Sequence, residues 1–596
     1  MHTDRRNRMH ERPNRRIALM WLLVSVIFIA AGWQRLLQGQ FPDPDDAMRL
    51  VQVRDLIGGQ GWFDLHQYRL SPPEGVLMHW SRLVDMPIAL IIVLLTPLLG
   101  SVAAETAALV LVPLLTLGAI LWVIGRLAWR LFDIDVAGFA CLCIGLLAPV
   151  VFQLQPMRVD HHGWQIFTVV LALWGISIRA PIKGGAVAGL AMAIGLSISI
   201  ELLPMVAAFG GVLALRWLRS HDARWWLVGY MQGLALALCG LFLLTRGFAD
   251  LAQHCDAVSP AHLGFFIIAA MGTGAIAAVP RVPPVALFGS FAMAGLAALA
   301  FFGLSSPACL ATPFAQLDPA VRDFWYLNIS EGRPLWEQDL WTAVPSFIQL
   351  LVALAVTLVL YNNSRDWLRN WWAEYALLLL ASIVLSLFVW RSAAFAGALS
   401  ALPLAWMVTR LLGAVRRASG AGAKIAGTAA IALILLPSAP LTFYRSIQPK
   451  ADAQTGTAVA ESRCVIREQA AKLAVLPRRT ILAPLDVGPS ILLKSQHSVL
   501  ATGHHRAEAS MHDVITAFIS PADDARAIIR RRSVDYVAMC TDLVEPKLYA
   551  DANPAGLAAL LIAGKPPSWL VPVKIDGPAE FRVWRVVRGE PASNPR

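Results

Sequence analysis

Long apolar runs separated by short polar breaks fill most of the first 440 residues. Thirteen of them read as membrane-spanning helices: 17–33, 105–130, 136–154, 163–179, 185–199, 203–218, 224–245, 262–279, 284–304, 344–361, 373–389, 394–414 and 424–440. The apolar stretch 86–102 is interrupted by Pro87 and Pro97, and it is expected as an interfacial or re-entrant helix on the outer face. After residue 440 the pattern changes. Short strand-like runs appear (RRTILAPLD, HSVLATG, VDYVAMC, LVPVKI, FRVWRVV), with helical patterns such as DDARAIIRRR between them. The prediction is a polytopic α-helical membrane protein with a C-terminal α/β domain over 441–596 and a disordered tail after Val587. No internal repeat or low-complexity segment is visible.

Composition agrees. The chain is 57% hydrophobic and 15% charged, with a mean hydropathy of +0.59, which excludes an ordinary soluble domain. The formal charge of +11 is explained by loop arginines on one side of the bilayer, so no nucleic-acid partner is expected. Arg5, Arg6, Arg8, Arg12, Arg15 and Arg16 precede the first run, which has no small-residue cleavage site and is therefore a retained span. Residues 1–16 are placed inside. Arg126, Arg130, Arg179, Lys183, Arg216, Arg219, Arg224, Arg281, Arg365, Arg369, Arg416, Arg417 and Lys424 then fall on inner turns. Thirteen crossings put 441–596 outside, together with outer loops 34–104 and 305–343. The location expected is a bacterial inner membrane, with the N-terminus cytoplasmic and the last domain periplasmic. Cys141, Cys143 and Cys239 lie in apolar runs as core residues, whereas two disulfides, Cys255–Cys309 and Cys464–Cys540, are expected if the outer side is oxidising.

Candidate chemistry gathers in three outer acidic clusters. The first is Asp43-Pro44-Asp45-Asp46, within a long polar loop that is costly to order unless it binds something. The second is Arg158-Val159-Asp160-His161-His162, and the third holds Glu331 and Arg333 in NISEGRP. Carboxylates from distant segments suit a hard divalent cation, Mg²⁺ or Mn²⁺. His161 and His162 are open as ligands, as orienters of Asp160 or as a helix cap. Glu201 stands between two apolar segments, either lining a cavity or facing the aqueous edge. Arg391 interrupts LSLFVWRSAAFAGAL at an outer end, where a guanidinium fork suits phosphate; Arg333 and Arg82 are weaker candidates for that task.

Four of these motifs resemble, in order, the catalytic subunit of oligosaccharyltransferases. FPDPDDAMR is similar to the Asp-Pro loop of that family, which implies Asp43 as a metal-binding carboxylate, with Asp45 or Asp46 as alternatives, and Arg49 as its arginine. MRVDHHG resembles the second acidic motif, with Asp160 as its carboxylate. NISEGRPLW resembles the Ser-Glu-x-x-Pro loop, with Glu331 at the position that contacts metal and acceptor, and Arg391 falls where the family has a late arginine facing the lipid diphosphate. The Trp-Trp-Asp-Tyr-Gly signature has only Pro484-Leu485-Asp486-Val487-Gly488 as its counterpart, without either tryptophan. The resemblance therefore implies a GT-C fold and a polyprenyl-linked sugar donor rather than Asn-x-Ser/Thr recognition. Asp486, His504, His505 and Arg506 are candidate acceptor or cavity residues.

The expectation is thus a catalytic membrane domain over 17–440 that transfers a sugar or oligosaccharide from a polyprenyl-(di)phosphate donor, with Asp43, Asp45, Asp46, Asp160 and Glu331 as the catalytic set. The acceptor is a glycan, a lipid or a protein. The competing expectation is a lipid-linked sugar flippase, but transporters usually show internal repeats and midplane charges.

Overall fold

A computed structural model of the chain describes residues 12–311, 314, 317–438 and 462–588. Arg5, Arg6 and Arg8 lie outside the described residues, as does the tail beyond Arg588. The chain divides into two compact units: 1–34 with 81–313 and 330–449, and 35–80 with 314–329 and 450–596.

The first unit is helical. Eleven helices among the described residues are long and apolar enough to cross a bilayer. A twelfth is the bent pair Ile134–Ile144 and Ala148–Leu154, and the shorter apolar helices are His162–Ile176 and Ala421–Leu435. Together these are the thirteen expected runs plus Arg82–Leu99. That last helix corrects the expectation of a proline-interrupted segment over 86–102: it is continuous, and by length and composition it equals a span. Pro97 sits in its last turn, where few following N–H groups depend on regular geometry. The run 136–154 is also not one straight helix. It bends by 71° between Ile144 and Ala148, where Pro149 occupies the first turn of the second piece and starts it cleanly.

Small residues allow the closest packing. In helix Pro181–Ile198, Gly185 and Gly189 lie against the backbone of helix Arg224–Thr245 at Trp226 and Tyr230, where any Cβ would overlap a carbonyl oxygen. Two other helix pairs break instead of running on. Ser199 is extended, and the 3₁₀ turn Ile200–Leu202 separates Pro181–Ile198 from Leu203–Arg219. Val389 is extended, and the turn Trp390–Ser392 separates Asp366–Phe388 from Ala393–Arg417. Each break places one charged residue, Glu201 or Arg391, at a helix end. At the opposite end of the same helices, Arg216 Nε donates to Glu374 Oε1 at 2.9 Å, with Glu374 buried and Arg216 half-buried. Cys255 and Cys309 form a disulfide, with Cα atoms 5.0 Å apart.

The second unit is α/β. Its five-stranded sheet has the order Ser498–Val499, Thr480–Leu482, Tyr536–Cys540, Phe581–Val586, Leu570–Val573. The first three strands are parallel and the last two add antiparallel. All five strand-like runs of the sequence are present. Tyr536–Cys540 is buried along its whole length, as a central strand with both faces covered should be.

The loop after the first span folds as part of this unit. Val499 N donates to Arg69 O (2.9 Å) and Ser71 N to Val499 O (3.0 Å), so residues 69–71 lie along the sheet edge. Arg54 Nη1 donates to Leu493 O (2.6 Å) and Arg69 Nη1 to Ser495 O (3.0 Å). Segment 314–329 joins through Asp318 N, which donates to Glu508 Oε1 at 2.5 Å. Cys464 and Cys540 form the second disulfide, with Cα atoms 5.9 Å apart.

Candidate functional site

In the first unit, loop 155–161 connects helix Ala148–Leu154 to helix His162–Ile176. Met157 holds the left-handed conformation (φ 73°), unusual for a side chain of that size, and its N–H donates to Leu109 O at 3.0 Å. That turn aims Asp160, His161 and His162 at one point. One ligand atom from each of the three lies within 4.8 Å of the others. His161 Nδ1 is 2.5 Å from Asp160 Oδ1. His162 Nδ1 is 2.9 Å from Gln165 Oε1, an acceptor, so this nitrogen carries a proton and the ring turns Nε2 the other way. That Nε2 faces Asp160 Oδ2 at 3.4 Å and Glu331 Oε1 at 3.5 Å.

Glu331 arrives from a separate loop, on the 3₁₀ turn Ser330–Gly332. Gln338 Nε2 donates to Ser330 O (2.6 Å) and Arg333 O (3.2 Å), which fixes the loop. Trp390 N donates to Arg333 O at 3.0 Å, tying that loop to the turn that bears Arg391. Arg158 Nη2 is 3.4 Å from Glu331 Oε2, and Arg158 Nε donates to Gln153 Oε1 at 3.3 Å. Arg391 bridges two carboxylates: Nη2 pairs with Glu201 Oε1, and Nη1 lies 3.5 Å from Glu331 Oε1. Exposure rises across the set. The side chains of Arg158 and Asp160 are 1% exposed, those of Glu331 and Arg391 22%, and that of Glu201 37%, so the site opens on the Glu201–Arg391 side.

The electrostatics favour anionic carboxylates. Burial pushes the Asp160 carboxyl up, but His161, His162 and Arg158 outweigh it and hold the group well below the usual range. Glu331 is held down in the same way against its burial by His162, Arg158 and Arg391. Burial lowers His161, against the opposing pull of the Asp160 charge. Asp160, His161 and His162, with ligand atoms within 4.8 Å of one another, make a mixed oxygen and nitrogen donor set. Such a set fits a divalent cation.

Of the sequence-predicted residues, Asp160, His161, His162, Glu201, Glu331 and Arg391 thus come together. Arg333 turns to Glu337 instead. Arg82 is buried against Asp85 at 3.2 Å, its partner one helical turn away, and faces no solvent. Arg158, Gln153 and Gln165 complete the cluster. Arg158 was visible in the motif, but the two glutamines carried no signal in apolar surroundings.

The first acidic cluster folds in the second unit and has its own partners there. Asp43 caps helix Pro44–Ile57 by accepting from Asp45 N at 2.9 Å. Asp46 is fully buried. Asp45 Oδ1 lies 3.7 Å from His504 Nε2. His505 packs against His79, Phe314 and Trp325, and Arg506 donates to Leu77 O at 3.4 Å. Burial and the charge of Asp43 push Asp486 up to about 6. A residue the sequence did not reveal, Glu545, accepts from Leu485 N (2.6 Å), Asp486 N (3.0 Å) and Tyr549 Oη (2.5 Å).

No protein-family model and no curated protein matches this sequence. Solved structures match in fold. The archaeal oligosaccharyltransferase AglB from Archaeoglobus fulgidus, in complex with an inhibitory peptide and a dolichol-phosphate, is 13% identical. The match covers 97% of this chain and 75% of that one, with a TM-score of 0.65. The apo form of the Archaeoglobus fulgidus enzyme gives 13% identity, 96% and 76% coverage and a TM-score of 0.64. ArnT from Cupriavidus metallidurans in the apo state gives 14% identity, 94% and 97% coverage and a TM-score of 0.36. The chain is a multi-pass helical membrane protein with the GT-C fold and a C-terminal α/β region.

Proposed function

We propose that this chain is an inverting integral-membrane glycosyltransferase, oligosaccharyltransferase-like, whose donor is a sugar or oligosaccharide on a polyprenyl phosphate or diphosphate. The observation that carries the reading is the convergence of Asp160, His162, Glu331 and Arg391, from three separate segments, at one end of a helical bundle. Its setting is the periplasmic face of a bacterial inner membrane, where both disulfides are stable.

A lipid-linked donor reaches the site laterally from the bilayer. Arg391, the exposed guanidinium of the set, binds the phosphate oxygens in its fork. Arg158 holds Glu331 from its buried side, and Gln165 holds the His162 ring, so the donor meets groups already in place. A divalent cation held by Asp160, His162 and Glu331, with His161 beside them, would supply Lewis-acid stabilisation of the leaving phosphate. The acceptor, a glycan, lipid or protein, attacks the anomeric carbon on the face opposite that phosphate.

The test is transfer by purified full-length protein in detergent, with membrane lipid extract as donor source and mass spectrometry of the products. Wild-type protein is expected to form product, and Asp160→Ala and Glu331→Ala to lower it by at least ~100-fold, the scale for losing an electrostatic group at a reacting centre. A flippase forms no product in detergent. Full activity in the double variant would overturn the assignment.

A further inference from the structure

We infer that Glu201 sets the charge of the donor, selecting a lipid with one phosphate group over one with two. The inference rests on the glycosyltransferase reading and deepens it. Glu201 and Arg391 sit on facing 3₁₀ turns, each at a break between apolar helices. Ser199 Oγ accepts from Glu201 N at 3.4 Å and helps to fix the first turn. Leu202 packs into the space left by Gly195, which anchors that turn to helix Pro181–Ile198. The carboxylate is therefore held beside the arginine by backbone geometry on both sides.

Charge and access then decide what the site takes. Three carboxylates, Asp160, Glu201 and Glu331, face two guanidiniums, Arg158 and Arg391. Arg158 is sealed from solvent and committed to Glu331 and Gln153, so of the two only Arg391 meets an incoming phosphate. Arg391 is itself shared by Glu201 and Glu331. A single phosphate group requires one such fork. A second phosphoryl group adds negative charge within a few ångströms of Glu201, the most exposed carboxylate of the set. Like charges at that distance in a half-exposed site repel enough to change affinity on the order of tenfold. Removing the charge of Glu201 removes the penalty.

The experiment uses full-length protein in detergent and calorimetric titration with farnesyl phosphate, farnesyl diphosphate and farnesol, each with and without added Mn²⁺. Without added Mn²⁺, wild-type protein is expected to bind the monophosphate about tenfold more tightly than the diphosphate. Glu201→Gln is expected to narrow the ratio about tenfold by strengthening the diphosphate, and Glu201→Asp, which keeps the charge, to preserve it. A wild-type protein that binds the diphosphate as tightly as the monophosphate overturns the inference, as does an unchanged ratio in Glu201→Gln. Either result leaves the glycosyltransferase reading standing. Binding of neither phosphate above farnesol overturns both.

Discussion

Gln165 Oε1 lies 2.9 Å from His162 Nδ1, and this one contact turns the other ring nitrogen toward Asp160 and Glu331. Partners of this kind orient metal-ligating histidines, and losing them typically costs 10- to 100-fold in metal affinity. Gln165→Leu keeps the volume and removes the acceptor. It is expected to weaken Zn²⁺ or Mn²⁺ binding to the purified protein by about tenfold or more, and Gln165→Glu to retain it. Titration of the metal by calorimetry checks both. Equal affinity in Gln165→Leu would mean that the ring is held by packing alone.

At the other end of the bundle, Arg216 and Glu374 form a pair that the glycosyltransferase chemistry does not use. Arg219 Nη1 lies 3.9 Å from Glu374 Oε1. Removing Glu374 strands the half-buried Arg216 guanidinium, at a cost of up to the ~3 to 5 kcal/mol known for fully buried pairs. Glu374→Ala is expected to lower the thermal midpoint in detergent sharply. The double variant Arg216→Met/Glu374→Leu is expected to recover most of the loss, because it removes both charges. Scanning fluorimetry of the three proteins checks this, and an unshifted midpoint in Glu374→Ala would mean that the pair is solvated.

Charges inside apolar sequence were the legible part of this protein. Asp160, Glu201 and Arg391 each interrupt or flank a hydrophobic run, and an ionised group there is costly unless it meets a partner. The five strands were equally plain from their period. Three things were hidden. Gln165 looks like any polar residue in a helix, because its role exists only through the neighbouring imidazole. Arg82 reads as a free outer arginine, yet a carboxylate three residues on neutralises it within the same helix. The fate of the first loop is set by main-chain hydrogen bonds between residues 69–71 and Val499, more than 400 positions apart in sequence, and main-chain pairing leaves almost no trace in side-chain identity.

The disulfides give a test that needs no substrate. Cys464 and Cys540 are 76 residues apart, and closing a loop of that size is worth about 4 kcal/mol in the chain-entropy account. Non-reducing peptide mapping of protein from membranes is expected to recover the Cys464–Cys540 and Cys255–Cys309 links, with Cys141, Cys143 and Cys239 carrying the alkylating label after denaturation. Cys464→Ser is expected to speed amide exchange along strand Tyr536–Cys540. Free thiols at all four positions would exclude an oxidising location for these segments.

The second unit carries a pH dependence whose sign follows from Glu545. Burial and the neighbouring Asp486 raise its carboxyl from the ordinary 4.5 to about 8, although two backbone N–H groups and the Tyr549 hydroxyl work the other way. Between these values the folded unit keeps a proton that the unfolded chain has released. The stabilisation is therefore fully present below about pH 4.5, is lost as the pH rises toward 8, and changes little above it. Local opening of helix Val544–Ala552 and of residues 484–487 should become easier across that window. Hydrogen exchange on full-length protein, corrected for the intrinsic pH dependence of exchange, is expected to show protection falling between pH 5 and pH 8 in those segments. Glu545→Gln, which cannot ionise, is expected to flatten the profile. A wild-type profile as flat as that of the variant would mean that the three donors keep Glu545 ionised throughout, and that its burial is offset by hydrogen bonding alone.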